Sequence, residues 1–413
     1  MKIAVIGVGT AGCLSLCHLL TYLPSYWEVI SVHDPSTPIV GIGESTLPRF
    51  PFILFAGTRF HYATDQHELD ATIKQGVKFV NWRNEDIFHT FASNTYGIHF
   101  NTFNLKDFVL SRLPKLWKDR FSCITGNVED LINTDKGVDV IVDNVVHEFD
   151  YVVDCRGFPD NYDDCQESNV VPVNHALINV IDKPGDWDWT YHYAHPNGWM
   201  FGIPLSTRQG WGYLYNDTIS TKEEGIDWLS EHFKTPKEQL NIREYSWKPF
   251  FSNKMINGRI IKNGNRISFM EPLQALSFGI YDAVNLACVE YVQGKETEER
   301  AELFYRQIIE TTEATIAFHY HGGSIFDTEF WKMASVKCSR YVSSVKNMEN
   351  LFDRLREYRT ASNNNLFMYL MSPQERETLK MGIFDPQSIY FIDEAFGYNY
   401  TKQGTQENYY YIT

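Results

Sequence analysis

The stretch from Lys2 to Gly12, KIAVIGVGTAG, constrains this chain more than any other. Ile3 to Ile6 form a short continuous apolar run, the pattern of a strand buried on both faces of a parallel sheet. Gly7, Gly9 and Gly12 follow at the G-x-G-x-x-G spacing, and Cys13 to Leu20 continue as an apolar helical segment. Each glycine answers a physical need. The first makes a tight turn, the second lets backbone approach a pyrophosphate, and the third lets helix pack closely on strand. Phosphates then lie at a helix N-terminus, where free N–H groups and the macrodipole favour anions. Asp34 stands 22 residues beyond Gly12, at the end of a second candidate strand, Val29 to His33, where an acid suits a ribose hydroxyl pair. A glycine triplet alone also occurs in unrelated turns; strand, helix and acid together make this a dinucleotide site. Flavin and nicotinamide dinucleotides both satisfy it.

With 413 residues the chain has room for two or three domains. A net charge of −15 argues against nucleic acid or an anionic membrane as partner. The N-terminal apolar run is too short and too broken by glycine to read as a signal peptide, and no stretch approaches the roughly 20 apolar residues of a membrane helix. The seven cysteines (Cys13, Cys17, Cys123, Cys155, Cys165, Cys288 and Cys338) are odd in number and form no C-x-x-C pair. That indicates neither a metal site nor a disulfide framework, and a reducing, cytoplasmic compartment is expected.

Beyond Asp34 a loop ends in Gly41-Ile-Gly-Glu-Ser-Thr-Leu-Pro48 and is expected to lie over the cofactor. Gly76 to Trp82 reads as a strand whose alternation sets Lys78 opposite Val77 and Phe79. A short strand at Tyr96 to Phe100 precedes a helix over 105–117. Val138–Val142 and Val145–Phe149 read as a hairpin around Asp143-Asn144. Tyr151 to Phe158 reads as a buried strand ending at Gly157. Ala176–Ile181, Gly198–Pro204 and Gly210–Asn216 read as a mostly antiparallel sheet roofing a pocket, and Ile260–Ser268 returns to the cofactor sheet. The remainder is mainly helical, over 272–293, 296–321, 347–358 and 373–381, with an Asn363-Asn-Asn365 loop and a Tyr- and Asn-rich end from Tyr398.

Several of these segments, in this order, resemble the flavin-dependent halogenases of the tryptophan-halogenase type. They are Gly7-Val-Gly-Thr-Ala-Gly12, Gly41 to Pro48, Val77-Lys-Phe-Val-Asn-Trp82, Asp154-Cys-Arg-Gly-Phe158, Gly198-Trp-Met-Phe-Gly-Ile-Pro-Leu205, Phe269-Met-Glu-Pro-Leu273 and Phe318 to Trp331. The resemblance covers about residues 1 to 335 and describes a short, divergent member. It implies an α/β fold: a Rossmann-like FAD-binding module of the flavin monooxygenase/halogenase superfamily, with an interleaved β-sheet and a helical C-terminal substrate module. The expected division is 1–330, with cofactor segments at 1–60, 138–175 and 255–295 and a substrate-side sheet at 76–100 and 176–250, and a mainly helical substrate-side or capping region over 331–413. FAD would be held by Gly7, Gly9, Thr10, Ala11, Gly12, Asp34, Gly43, Glu44, Ser45 and Gly264.

The same resemblance implies a reaction. FADH2 from a separate NAD(P)H-dependent flavin reductase reacts with O2, and halide is converted to hypohalous acid. A lysine then delivers the halogen to an electron-rich aromatic such as an indole, pyrrole or phenol. Lys78 falls on that lysine, and apolar neighbours would desolvate it and shift its pKa. Trp199, Phe201, Ile203 and Pro204 match a W-x-W-x-I-P element thought to part substrate from flavin, with Phe201 in place of the second tryptophan. His89 and Phe91 match a pair that sandwiches the aromatic. The departure is at Glu271-Pro-Leu-Gln-Ala-Leu-Ser277, where the family reads E-P-L-E-S-T-G. Gln274 replaces the catalytic glutamate and can hydrogen-bond but not act as a base. Leu276 and Ser277 would offer N–H groups to a halide in a pocket of altered size. Three readings follow: very electron-rich substrates only; bromide or iodide in preference to chloride; or lost halogenation. A flavin monooxygenase would explain the glycines and Asp34 but gives Lys78 and Trp199 no role. Sequence leaves open the substrate and whether the chain forms a homodimer or a larger assembly.

Overall fold

The computed structural model describes residues 1–39, 41, 45–91, 95–344, 353 and 386–400. Lys2–Ile6 is a central strand of a six-stranded sheet, flanked by Tyr151–Asp154 on one side and Glu28–His33 on the other. Ile260–Lys262 and Phe121–Thr125 extend it in parallel, and Ile256–Asn257 closes one edge antiparallel. Ile3 to Ile6 are buried on both faces, as their unbroken apolar run requires. On one face lies the helix Thr10–Tyr22, buried from Ala11 to Leu20, which packs on the helices Arg49–Thr58 and Leu276–Val292. On the other face a three-stranded meander, Val128–Asn133, Val138–Val142 and Val145–Phe149, sets Val138, Val140, Val142 and Phe149 on Ala4, Ile6, Ile30 and Val32. Its tip, Asp143-Asn144, takes φ 46° and 64°, the left-handed pair of a type I′ hairpin turn.

The roof is a seven-stranded sheet. Its order is Ile242–Ser246, His175–Ile181, Gln209–Tyr215, Gly198–Pro204, Thr190–His195, Gly76–Val80 and Ile87–Thr90. All pairings are antiparallel except that of Thr190–His195 with Gly76–Val80. The strand Thr190–His195 escaped the sequence reading because T-Y-H-Y-A-H has no aliphatic residue larger than alanine to mark a buried face. In the structure it alternates nonetheless. Thr190, His192 and Ala194 are buried inward, while Tyr191 and Tyr193 join Trp211 and Tyr213 on the outer face. The helix Lys222–Phe233 covers that outer face, started by a capping box between Thr221 and Glu224.

Long helices Leu276–Val292, Glu298–Tyr320 and Glu329–Ser344 follow, with Pro386–Ala395 after the next described gap. The boundary expected at 330/331 falls inside the helix Glu329–Ser344, which Trp331 ties to the roof through its indole N–H and the His195 carbonyl at 2.8 Å. The helices expected over 347–358 (residue 353 apart) and 373–381, the Asn363–Asn365 loop and the end beyond Tyr400 lie outside the described residues. No described helix is long and apolar enough to cross a membrane, and all seven cysteines are free thiols.

Candidate functional site

The glycine turn opens onto a cavity of about 730 Å³. Gly7 has φ 89°, and an ideal Cβ there would lie 2.8 Å from the Cys155 carbonyl oxygen; one on Gly12 would lie 2.0 Å from the Gly7 oxygen. Both positions are closed by backbone. Gly9 differs: a Cβ there meets nothing within 4 Å, because its backbone faces the cavity at the start of the helix Thr10–Tyr22. That open approach beside a helix N-terminus fits the diphosphate of FAD. Asp34 lies on the cavity wall, and hydrogen bonds from Ser36 N–H and Oγ, both 2.7 Å, hold its carboxyl below the usual range and ionised. Thr10, Ala11 and Ser45 also line the cavity, whereas Gly12 and Gly264 act from behind it. Gly264, at φ 66°, brings the 264–266 turn against Ala11, and its neighbours Asn265 and Arg266 reach the wall. Arg156 and Arg266 share the buried Asp154 carboxylate at 2.9 and 3.2 Å, and Arg266 also pairs with Asp160 at 3.2 Å, so two cations on this wall face two carboxylates. Gly43 and Glu44 lie outside the described residues.

The expectation for Lys78 does not survive. Its side chain lies on the outer face of the roof, paired with Asp86 at 3.0 Å and near the rings of Trp189 and Tyr191. The alternation that buries Val77 and Phe79 is what turns it outward. The buried amine is Lys74, at the end of the short strand Thr72–Lys74, with no exposed surface. Its Nζ donates to Ser45 Oγ at 2.8 Å and lies 5.3 Å from the centre of the Phe91 ring. It has no carboxylate partner among the described residues. Burial pushes its pKa down to about 7. Hydropathy could not have found it, because a lysine in T-I-K-Q-G reads as exposed. The available signal was its place before Gly76, where the chain steps between two strands.

Gln274 is buried where two non-glycine residues, Gln274 and Ala275, hold left-handed backbone at φ 55° and 58° before the helix Leu276–Val292. Each costs roughly 1–2 kcal/mol, strain that clusters at functional sites. The Gln274 amide nitrogen lies 3.3 Å from His89 Nδ1 and 3.4 Å from His319 Nε2. His319 Nδ1 lies 2.7 Å from the Thr315 carbonyl, so that nitrogen carries the proton and Nε2 accepts. Burial pushes His319 down to about 3, leaving it neutral. Of the two amides expected to face a halide, that of Leu276 is spent on the Leu273 carbonyl, while Ser277 lines the cavity with Ala275 and Pro272. Halide contact through Leu276 N–H is therefore withdrawn.

Between these centres stands the strand Gly198–Pro204. Phe201 and Ile203 face the cavity, and Trp199 packs on His192 at 4.7 Å and Trp82 at 6.2 Å. Pro204 gives its carbonyl to the Thr72 hydroxyl. The expected pair His89 and Phe91 is divided: Phe91 lies over Lys74, and His89 stacks on Phe391 at 5.5 Å. Phe396 packs edge-on against Phe79 at 5.4 Å, and Arg83 secures that segment by donating to the Phe396 carbonyl at 2.8 Å and to Tyr398 Oη at 2.9 Å. The described C-terminal residues thus pack against the Gln274 site.

A family model described as tryptophan halogenase matches residues 2–125 and 119–376. The tryptophan 7-halogenase RebH of Lentzea aerocolonigenes is 20% identical, over 80% of this chain and 78% of that protein. The tryptophan 6-halogenase ThaL of Streptomyces albogriseolus is 20% identical, over 88% and 83%. Among solved structures, a tryptophan halogenase from Shewanella frigidimarina superposes with a TM-score of 0.78 at 17% identity, covering 96% of this chain and 88% of that one. BrvH, a flavin-dependent halogenase from Brevundimonas sp. BAL3, gives 0.74 at 16% identity, covering 96% and 90%. At such identities the superpositions speak to the fold.

Proposed function

Since the chain belongs to the tryptophan halogenase family, we propose that it is an FADH2-dependent halogenase in which Lys74 delivers the halogen to an electron-rich aromatic substrate. When bound, reduced FAD with O2 supplies the oxidising equivalent that turns halide into hypohalous acid, and a separate NAD(P)H-dependent reductase provides the reduced flavin. The observation that carries the reading is Lys74 itself: a fully buried amine hydrogen-bonded to Ser45 on the cavity wall, with a pKa of about 7. An amine poised near neutrality can donate a hydrogen bond to hypohalous acid or take up its halogen. Phe201, Ile203 and Trp199 stand as a wall that keeps an aromatic substrate off the flavin. His89 and Gln274 would orient the ring, with Phe391 and Phe396 as apolar neighbours.

Gln274 narrows the substrate. A halogenated ring must lose a proton to regain aromaticity, and an amide cannot take it. Indoles, pyrroles and phenols, whose charge is well spread, make least demand on a base. With Ala275 and Ser277 at the halide position, we assign bromide or iodide ahead of chloride, because both are more easily oxidised. The test incubates the full chain with FAD, a flavin reductase, NADH and each halide over an indole and phenol panel, reading products by mass. Halogenated product lost in Lys74→Met, with free hypohalous acid scavenged, supports the reading. Oxygenated product without halide would replace it with a monooxygenase, and flavin binding without product would indicate a descendant that no longer halogenates.

A further inference from the structure

Lys74 is one end of a buried chain of hydrogen bonds. Its Nζ donates to Ser45 Oγ at 2.8 Å, and Ser45 Oγ lies 2.8 Å from Thr190 Oγ1. Thr190 Oγ1 lies 2.9 Å from His99 Nε2, and His99 Nδ1 lies 3.1 Å from Thr72 Oγ1. The Thr72 hydroxyl then donates to the Pro204 carbonyl at 2.7 Å. Lys74 and His99 have no exposed surface, and Ser45 and Thr190 are nearly as buried while forming part of the cavity wall.

The polarity of the chain follows from its far end. A carbonyl only accepts, so Thr72 spends its single proton on Pro204 and must accept from His99 Nδ1–H. A neutral imidazole protonated at Nδ1 offers a lone pair at Nε2, and the Thr190 hydroxyl donates to it. Thr190 oxygen is then an acceptor for the Ser45 hydroxyl, and Ser45 oxygen an acceptor for Lys74. Every hydrogen points from the lysine towards Pro204. In such a chain each bond polarises the next.

This has a consequence for the amine. Ser45 has no hydrogen left to offer Lys74, so a neutral Lys74 gives one N–H to Ser45 and cannot have its lone pair tied up there. Were His99 protonated at Nε2, the order would reverse, and Ser45 would donate to that lone pair. Burial pushes the His99 imidazole well below its ordinary range and keeps it neutral, with one ring nitrogen left to accept. We propose that His99, acting through Thr190 and Ser45, is a positioning residue that keeps the Lys74 lone pair turned away from Ser45 and free to engage the halogen. The proposal rests on Lys74 being the delivering amine.

The first arm of the test does not depend on turnover. Long-range proton–nitrogen correlation on flavin-free full chain labelled with ¹⁵N-histidine, and assigned by a His99→Asn variant, reads the His99 tautomer. Nδ1–H is expected; Nε2–H overturns the proposal. The second arm compares Thr190→Val with Thr190→Ser. Valine cuts the chain and frees the Ser45 hydroxyl to donate to Lys74, so kcat falls by about tenfold or more while KM for the aromatic stays within about twofold. Serine restores the hydroxyl and should recover wild-type kcat. Equal impairment by both variants, or no loss in Thr190→Val, overturns the proposal. Absence of halogenation in the wild type would instead defeat the assigned function, with the tautomer still deciding the direction of the chain.

Discussion

Lys74 and Lys78 lie four residues apart and present their amines to opposite sides of the roof sheet. Lys74 reaches inward to Ser45, which bonds Thr190 on the inner face. Lys78 reaches outward to Asp86, beside Trp189 and Tyr191. Only the first is hydrogen-bonded to a residue of the cavity wall. Lys74→Met, close in volume, should cost at least about a hundredfold in halogenation. Lys78→Ala removes a partly exposed ion pair of little energetic weight and should leave rate and stability nearly unchanged. Parallel product assays and thermal melts of the two variants check this; comparable losses would contradict the assignment.

The lysine also leaves a mark on stability. Its folded pKa of about 7 lies below the ordinary value of about 10.4, so between these values the unfolded chain binds more protons. Stability from this site therefore rises with pH across that window, and its burden is complete below about 7. Denaturant unfolding of wild type and Lys74→Met at pH 7, 8.5 and 10 should show a gap that closes as pH rises. A constant gap would show that Lys74 is not held neutral.

Glu271 behaves in the opposite sense. It has no exposed surface, accepts from Tyr320 Oη at 2.8 Å, and is pushed by burial to about 8. Between about 4.3 and 8 the folded chain binds more protons, so stability from this group falls as pH rises through that window. Glu271→Gln keeps an acceptor for Tyr320 and should match wild type near pH 5 but exceed it above pH 8. Unfolding curves at the two pH values test this, and equal stability at both would refute it.

The three glycines of the first turn divide by what a methyl group would meet. Gly9→Ala intrudes only on the cavity and should weaken FAD binding about tenfold with little change in melting temperature. Gly12→Ala drives a carbon into the Gly7 carbonyl and should destabilise the fold itself. Flavin fluorescence titration beside thermal melts separates the two. Unchanged flavin affinity in Gly9→Ala would mean that the diphosphate does not pass there.

Gln274→Glu restores a carboxylate between His89 and His319, each within 3.4 Å of the present amide. It should raise the rate on less activated arenes while changing little for the most electron-rich ones. It should also lift His319 from its value near 3, since a neighbouring negative charge favours imidazolium. Competition between an activated and a deactivated indole, with histidine titration by NMR, reads both effects. An unchanged preference would show that proton removal does not limit turnover.

The nucleotide half was legible because its signals are local. A strand, a tight turn and a helix N-terminus are written in consecutive residues, and Gly7, Gly9, Gly12 and Asp34 stand where their spacing implies. The hairpin at Asp143-Asn144 and the roof strands Gly198–Pro204 and His175–Ile181 were likewise readable from turn chemistry and apolar content. The reading failed at Lys78, whose amine lies on the outer face of the roof, paired with Asp86. It failed again at Leu276, whose N–H is consumed by a local turn.

Sequence by itself determined the dinucleotide module, several of the roof strands, and the absence of a carboxylate at Gln274, all properties of identity and short-range order. Which amine is buried was decided only by tertiary structure. Alternation gives the faces of a strand but not what covers them, and Lys74 is buried because Ser45, Thr190 and Phe91 converge on it from three separate parts of the chain. The same convergence joins His99 to Lys74 through two hydroxyls, a link that no sequence spacing encodes.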